Sequence, residues 1–415
     1  MLPSKEGAAV VQAAGALGVV RRRMMSLNVT FAGLELKNPL VAASATPTHT
    51  YSCLQKATAM GAAAVVPKSI VTPQKPGVRT GLSPRPRHHL MNRGIHYEEP
   101  SAERRDSLFT LMGSAEPYPT PEEFEPIIAK YKAEIQEPII VSISGPERAY
   151  GEWKKLARRM EKAGADALEL CLHHVPATDK LDPHLVSEIK DVVDLPIIAK
   201  TRMASERPEV VGPALQEAGA DAITAISGPT LRGLEIDVER QRFVLQPAFC
   251  SFRGPWYRPI GLGWIARLAQ CVDIDLSGVA GVVTWHDVVK YILVGATTVQ
   301  VCSAIFAYGY EVLSEMVTGL QQYMEEKQYS SITEFKGVLL DELREVEALP
   351  SSETIVAVVN QKLCIGCKKC EDTCFYDAIH IEEKKAFISP SLCQGCGQCI
   401  ERCPTGAIVL HDWYD

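Results

Sequence analysis

No stretch of the sequence is apolar for long enough to cross a membrane. The nearest candidate, "AAVVQAAGALGVV" at residues 8–20, falls short of the roughly 20 residues that a spanning helix needs. Arg21 to Arg23 follow that run instead of preceding it, the reverse of a secretory signal. Residues 1–26 are therefore expected to be a tail, with Met24 or Met25 able to begin the folded part. Positive charge is also scarce: 43 Lys and Arg stand against 50 Asp and Glu, for a net charge of −7. That balance gives no support for a nucleic-acid partner, which needs a basic face. No G-x-G-x-x-G follows the first strand candidate, so nothing marks an open dinucleotide-binding sheet. Scattered cysteines are few as well. Eight of the 13 crowd into residues 364–403, leaving Cys53, Cys171, Cys250, Cys271 and Cys302 elsewhere. The five fit core positions. A disulfide framework would not need so regular a cluster, and a reducing, cytoplasmic setting without a membrane is expected.

What is present begins with a repeated phrase. "MGAAAVVPK" (60–68), "KAGADALEL" (162–170), "EAGADAITA" (217–225) and "VGATTVQVC" (294–302) each join a helix-ending glycine to a short apolar run suited to a buried strand. Amphipathic stretches such as "YGEWKKLARRMEK" and "RPEVVGPALQE" precede them. Adding "PLVAAS", "PIIVSIS", "PIIAKTR" and "DLSGVAG" gives eight candidate parallel strands between residues 39 and 304. Eight strands with intervening helices predict a closed α/β structure, a (β/α)8 TIM barrel. Chemistry in such barrels collects at the carboxyl ends of the strands. The polar residues there are Ser44, Lys68, Ser144, Cys171 to His174, Lys200, Arg202, Ser227 and Ser303. Two lysines ending apolar strands, Lys68 and Lys200, would be costly in one barrel mouth unless an anion or cofactor received their charge. "SGVAGV" and "VCSA" supply small residues in the barrel's usual phosphate corner.

"CIGCKKCEDTCF" (364–375) and "CQGCGQCIERCP" (393–404) both read C-x2-C-x2-C-x3-C. This spacing is that of bacterial ferredoxins, where three cysteines hold one [4Fe–4S] cluster and the fourth crosses to the other. Cys364, Cys367, Cys370 and Cys403 are expected to hold one cluster, and Cys393, Cys396, Cys399 and Cys374 the second. Zinc is the competing ligand for paired C-x2-C motifs, but the doubled four-cysteine run favours iron–sulfur. Phe375 stands where proline is usual, a departure that removes no ligand.

A barrel joined to a two-cluster ferredoxin resembles the FMN and iron–sulfur part of dihydropyrimidine dehydrogenase and its separate bacterial subunit. The barrel alone resembles dihydroorotate dehydrogenase. The likeness runs from about Leu27 onwards and is best in residues 277–320, with "NPLVAAS", "VVPKSI" and "IIAKTR" also fitting. It implies FMN against Ala43, Ser44, Lys68 and Lys200, with the phosphate near Gly254, Gly281, Cys302 and Ser303. The family's N-x-S-C-P segment, whose asparagine touches flavin or substrate and whose cysteine or serine exchanges a proton, reads "CLHHV" here. Cys171 takes the asparagine's place, His173 the first serine's, and His174 that of the catalytic cysteine. Leu111 stands where the family's pyrimidine pocket has an asparagine, and Ser227 and Gly228 stand in place of its Asn–Thr, so an ordinary pyrimidine is not the expected substrate.

The implied activity is an FMN and iron–sulfur oxidoreductase acting on an activated C=C or CH–CH bond, electrons passing through two [4Fe–4S] clusters to FMN. His174 is the candidate proton donor and His173 the alternative; imidazole suits that role near neutral pH. The alternatives are a dihydropyrimidine dehydrogenase subunit with a rearranged pocket, or a non-catalytic electron relay. With no pyridine-nucleotide domain, electrons must come from a partner, an NAD(P)H-oxidising flavoprotein subunit or a ferredoxin. A homodimer or hetero-oligomer is implied. The expected domains are a tail at 1–26, the barrel at 27–335, a linker helix at 336–355 and the ferredoxin-like domain at 356–415.

Overall fold

The computed structural model describes residues 25–71, 91–93, 110–112, 118–146, 148–172, 182–202, 207–227, 232–233, 236–243, 250–345 and 355–411. The chain divides into two compact units, Met1–Asp341 and Glu342–Asp415.

Eight parallel staves build the first unit. They are β1 (Leu40–Ala42), β2 (Ala64–Val65, resumed at Ile70–Val71), β3 (Ile140–Ser144), β4 (Ala167–Cys171), β5 (Ile197–Arg202), β6 (Ala222–Ser227), β7 (Asp275–Val279) and β8 (Thr298–Val301). Around the sheet the order is β2, β1, β8, β7, β6, β5, β4, β3 and β2 again. A sheet whose two edges are successive halves of one stave is closed, and a parallel bridge between Val65 and Ile139 joins the ends. The result is a (β/α)8 barrel. β3, β4 and β6 are buried along their whole length, because helices cover one face and side chains fill the lumen on the other.

Local signals place the helices. Thr120 and Glu123 form a reciprocal capping box at the start of Pro121–Glu134, with proline in the first turn. Tyr150–Ala163 ends at Gly164, whose φ of 104° is left-handed. The aspartate of the repeated "AGAD" then has its own task. Asp166 accepts a bond from Ile139 N at 2.8 Å and one from Lys132 Nζ at 2.7 Å. Asp221 repeats the arrangement with Ile197 N at 2.6 Å and Lys190 Nζ at 2.7 Å. Each carboxylate thus ties the start of its own stave to the start of the one before.

A four-stranded antiparallel sheet, in the order Arg232–Gly233, Cys250–Arg253, Thr110–Met112 and Met91–Arg93, is built from segments that follow β2 and β6. It therefore belongs to the carboxyl end of the barrel, and its short strands gave no recognisable pattern in the sequence. In place of the expected linker helix, residues 336–345 form turns with a single 3-10 turn at Leu340–Glu342. Gly337 N and Leu339 N bond instead to the carbonyls of Ile292 and Leu293, which uses donors that a continuous helix would need. Residues 346–354 of that linker lie outside the described set.

The second unit pairs Ala357–Val359 with Ile408–Leu410 and Ile379–Glu382 with Lys385–Ile388, both antiparallel. A short helix, Gln398–Arg402, precedes Cys403. This is the ferredoxin-like domain. Among the described residues of the whole chain, no helix is long and apolar enough to cross a membrane.

Candidate active site and cluster sites

The barrel residues singled out in the sequence stand at the carboxyl ends of the staves. Ala43 and Ser44 follow β1, Lys68 lies between the halves of β2, and Cys171 and Ser227 close β4 and β6. Lys200 lies in β5, Gly281 follows β7, and Cys302 and Ser303 follow β8. Ser44 Oγ is 3.2 Å from Ser69 Oγ, which is 2.9 Å from Ser142 Oγ. Cys171 is buried and stands in register with Lys200, which pairs on its other side with Thr224. Ser227 Oγ donates to Thr201 O at 3.0 Å. His173, His174 and Gly228 lie outside the described residues, and of Leu111 only its backbone, in Thr110–Met112, is described.

The lumen holds a closed polar ring. Lys200 Nζ donates to Glu169 Oε1 at 3.0 Å and to Gln300 Oε1 at 2.8 Å. Gln300 Nε2 donates to Glu169 Oε2 at 2.7 Å and to Thr224 Oγ1 at 3.2 Å, and Thr224 Oγ1 donates to Glu169 Oε2 at 3.2 Å. Four staves contribute, with Glu169 on β4 and Gln300 on β8 meeting across the barrel axis. Glu169 is fully buried and Lys200 is 4% exposed. Such an ion pair is tolerated only because every lone pair in use has a donor. The bonds also fix the orientation of the Gln300 amide, its oxygen toward the ammonium and its nitrogen toward the carboxylate.

This ring corrects the charge argument made from the two lysines. Lys200 already has a counter-charge in Glu169, and Lys68 holds its ammonium 4.4 Å from the centre of the Tyr118 ring, a cation–π contact. An anion is not needed to neutralise Lys200, whereas the contact with a neutral ring leaves the charge of Lys68 in place. What remains is a donor: an ammonium has three N–H groups, and among the described residues only Glu169 and Gln300 take bonds from Lys200. A group with an acceptor atom fits there.

A second corner is shaped by backbone. Gly254 caps the turn Pro255–Tyr257, which leads into the helix Arg258–Ala269. A Cβ at Gly281 (φ 65°) would lie 2.9 Å from Arg258 N and 3.0 Å from Gly254 O, so only glycine lets these segments meet. Arg258 Nη1 pairs with the buried Asp287 Oδ1 at 2.7 Å. Asp287 also caps the helix Trp285–Leu293 through Val283 N and Thr284 N. Tyr291 OH donates to Ala280 O at 2.8 Å from beneath the turn. Close-set backbone of this kind can approach a phosphate.

In the second unit, the cysteines line two cavities, four to each. Cys364, Cys367, Cys370 and Cys403 surround one, and Cys374, Cys393, Cys396 and Cys399 the other. Backbone N–H groups reach the sulfurs in matching pairs: Ala378 N to Cys374 Sγ at 3.3 Å and Ala407 N to Cys403 Sγ at 3.2 Å. Ala386 N to Cys364 Sγ and Ala357 N to Cys393 Sγ are both 3.4 Å. Phe375 leaves its Cys374 bond equivalent to that of Cys403, and its own ring is exposed. Burial pushes the Cys399 thiol up to about 11 and raises that of Cys370. Burial also acts to raise Cys403, but bonds from Thr405 and from backbone N–H groups outweigh it and lower that thiol. Among the described residues, no three His, Cys, Asp or Glu groups converge closely enough for one ion; each ring of sulfurs encloses a volume.

Sequence reading passed over Glu169, Thr224, Gln300, Arg258 and Asp287. Glu169 had a signal of its own: a carboxylate within "ALEL", two residues before Cys171 and so on the same face of a buried stave.

Comparison with known proteins agrees with this architecture. The family profile described as dihydroorotate dehydrogenase matches residues 114–324, and that described as a 4Fe-4S dicluster domain matches residues 363–407. The catalytic subunit of dihydroorotate dehydrogenase B (NAD(+)) from Pyrococcus furiosus is 34% identical over 332 residues, covering 76% of this chain and 99% of the relative. Its counterpart from Pyrococcus abyssi is 33% identical over 327 residues, with the same coverage. The NAD-dependent dihydropyrimidine dehydrogenase subunit PreA of Escherichia coli is 27% identical over 380 residues, 85% of this chain and 86% of that one.

Proposed function

The chain belongs to the dihydroorotate dehydrogenase family and is an oxidoreductase acting on CH–CH groups, and from that premise we propose that it interconverts an activated C=C bond and its saturated form, with FMN in the barrel mouth and two [4Fe–4S] clusters in the ferredoxin unit. The observation that carries this reading is the remaining donor of the buried Lys200, at the carboxyl end of the barrel and in register with Cys171. Bound there, FMN supplies hydride exchange with a carbon and single-electron exchange with iron–sulfur centres. Lys200 donates to the ring, while Ala43, Ser44, Lys68, Cys171 and Ser227 border it. Backbone at Gly254, Gly281, Cys302 and Ser303 receives the phosphate. The two cysteine cavities each hold one cluster.

His174, three residues after Cys171 in the sequence, supplies the proton on the substrate carbon, with His173 as the alternative donor. Cys171 cannot offer the carboxamide donor and acceptor pair that an asparagine gives a pyrimidine, and a site built on such bonds loses its substrate without them. The substrate is therefore a small activated alkene other than an ordinary pyrimidine. The electron donor is a separate NAD(P)H-oxidising flavoprotein or a ferredoxin, and the assembly is cytoplasmic. The match to the dihydropyrimidine dehydrogenase subunit over 85% of this chain favours, as the second reading, a pyrimidine-reducing subunit with a rearranged pocket.

One stopped-flow experiment tests these readings together. Anaerobically reduced protein is mixed with orotate, uracil and a panel of unsaturated acids and amides, and reoxidation is followed. Fast reoxidation by a non-pyrimidine supports the proposal, and fast reoxidation by uracil alone supports the second reading. Reoxidation only by a partner protein makes the chain a relay. In His174→Ala, reoxidation by the substrate should slow by roughly a hundredfold with FMN content unchanged. A mutant as fast as the parent would give the proton to another group.

A further inference from the structure

Resting on the reading that FMN lies against Lys200, we propose that Glu169 is a positioning and counter-charge residue for the flavin, setting the balance between its oxidised and reduced forms through Lys200. Glu169 touches neither the mouth nor solvent; it is fully buried, one layer within the barrel. Its two oxygens receive three bonds, from Lys200, Gln300 and Thr224. Two of these partners, Lys200 and Gln300, also bond one another at 2.8 Å. The ammonium is thereby held on two sides, leaving its third N–H as the only direction in which it can donate. That fixes where Lys200 points.

The charges follow from the same contacts. A lysine alone beneath a flavin would favour the reduced ring, which carries an added negative charge. A carboxylate 3.0 Å from that ammonium offsets a large part of its field at the ring, and nearly all of it at distances well beyond the length of the pair. The pair therefore donates a hydrogen bond to the ring while contributing little net charge, and the flavin keeps a lower potential than a bare lysine would give it. Gln300 is close to a carboxylate in shape and faces the same ammonium, so the ring of bonds has one position that carries the charge and one that does not.

The holoprotein offers a test in which charge and structure separate. The flavin midpoint is measured by anaerobic redox titration, with FMN content recorded beside it. Glu169→Gln should raise the ratio of reduced-flavin to oxidised-flavin affinity about tenfold, equal to about 30 mV for a two-electron couple. Adding Gln300→Glu moves the carboxylate to the opposite stave, still facing Lys200, and should return the midpoint to that of the parent. If Glu169→Gln alone does not fold, the exchanged double variant decides the matter: a parental midpoint supports the proposal, and a shifted midpoint or a protein that also fails to fold overturns it. A folded Glu169→Gln protein with an unchanged midpoint overturns it too, provided Lys200→Met lowers the midpoint or the FMN content. If Lys200→Met alters neither, the placement of FMN beside Lys200 is wrong, and this inference falls with it.

Discussion

The barrel lumen and the cysteine cavities are both lined with reactive groups, yet they solve the problem of burying them in opposite ways. In the lumen each polar side chain is answered by another: Glu169 by Lys200, and both by Gln300 and Thr224. In the ferredoxin unit the sulfurs of each cavity face one another, with backbone N–H groups reaching Cys364, Cys374, Cys393 and Cys403 and Thr405 adding a bond at Cys403. The first arrangement is complete as protein except for one N–H of Lys200. The second is a set of ligands, and thiolates brought together without a cation repel. Supporting structure differs in the same direction. The barrel's core runs through all eight staves and their helices, whereas that of the ferredoxin unit comprises, among the described residues, seven buried side chains, two of them Cys370 and Cys399. A core so small needs a staple, and bound metal is one of the few available.

Stripping the prosthetic groups should pull these two regions apart, and this is the largest effect expected. Chelation of iron under reducing conditions should abolish amide-exchange protection in Ala357–Val359 and Ile408–Leu410, because folding there depends on the ligands being drawn together. The staves Ala167–Cys171 and Ala222–Ser227 should keep theirs. Removing FMN should do little harm: the barrel should stay folded, losing only the stabilisation that ligand binding gives by mass action. Hydrogen exchange on the two depleted forms checks both halves. A ferredoxin unit that stays protected without iron would break the contrast.

Within the barrel, the contrast sharpens between its two lysines. Gln300→Leu removes an acceptor from the Lys200 ammonium and donors from Glu169 and Thr224, all in a buried site. A cost of about 2–4 kcal/mol is expected from unsatisfied buried polar groups around an ion pair. Lys68→Met gives up a cation–π contact at a partly exposed position and should cost no more than about 1 kcal/mol. Urea unfolding of the barrel transition measures both. Equal losses would mean that the lumen ring is no more tightly built than the mouth.

How much of this was legible in the sequence divides along similar lines. The cysteine runs were readable because the ligand set is local: four positions in eleven residues, twice, with the crossing of Cys374 and Cys403 given by the spacing. The staves were readable because a buried parallel strand writes itself as an apolar run, and the helix ends because glycine marks them. Glu169 was not, although it stands only two residues before the stretch that holds His173 and His174. Its partners lie 31, 55 and 131 residues further on, and only barrel closure sets β4 opposite β8. The same gap produced the mistaken view of Lys200 as a charge in want of an anion. Arg258 and Asp287 come together only around Gly281, at a turn whose shape no periodicity encodes. The antiparallel strands following β2 and β6 are two to four residues long, too short to announce a period.

The aspartates of the repeated phrase provide the smallest test and the most specific. Asp221 Oδ2 accepts from Ile197 N and from Lys190 Nζ, so its contribution has a backbone part and an ionic part. The ionic part joins side chains that are 34% and 35% exposed, where pairs contribute about 0–1 kcal/mol and are screened by salt. The backbone part satisfies an N–H at the start of a buried stave, where an unmet donor costs about 1–3 kcal/mol. Asp221→Asn keeps an acceptor and should lose only the ionic part, a few tenths of a kcal/mol that vanish in high salt. Asp221→Ala loses both, and should cost about 1–2 kcal/mol with little dependence on salt. Lys190→Met should match the asparagine variant, since it removes the same charge pair and leaves Ile197 N bonded. Thermal unfolding of the three variants at low and high salt makes the comparison. If the alanine and asparagine variants lose the same stability, the carboxylate serves as a surface charge, and the tie between the starts of β5 and β6 is not what the repeated aspartate provides.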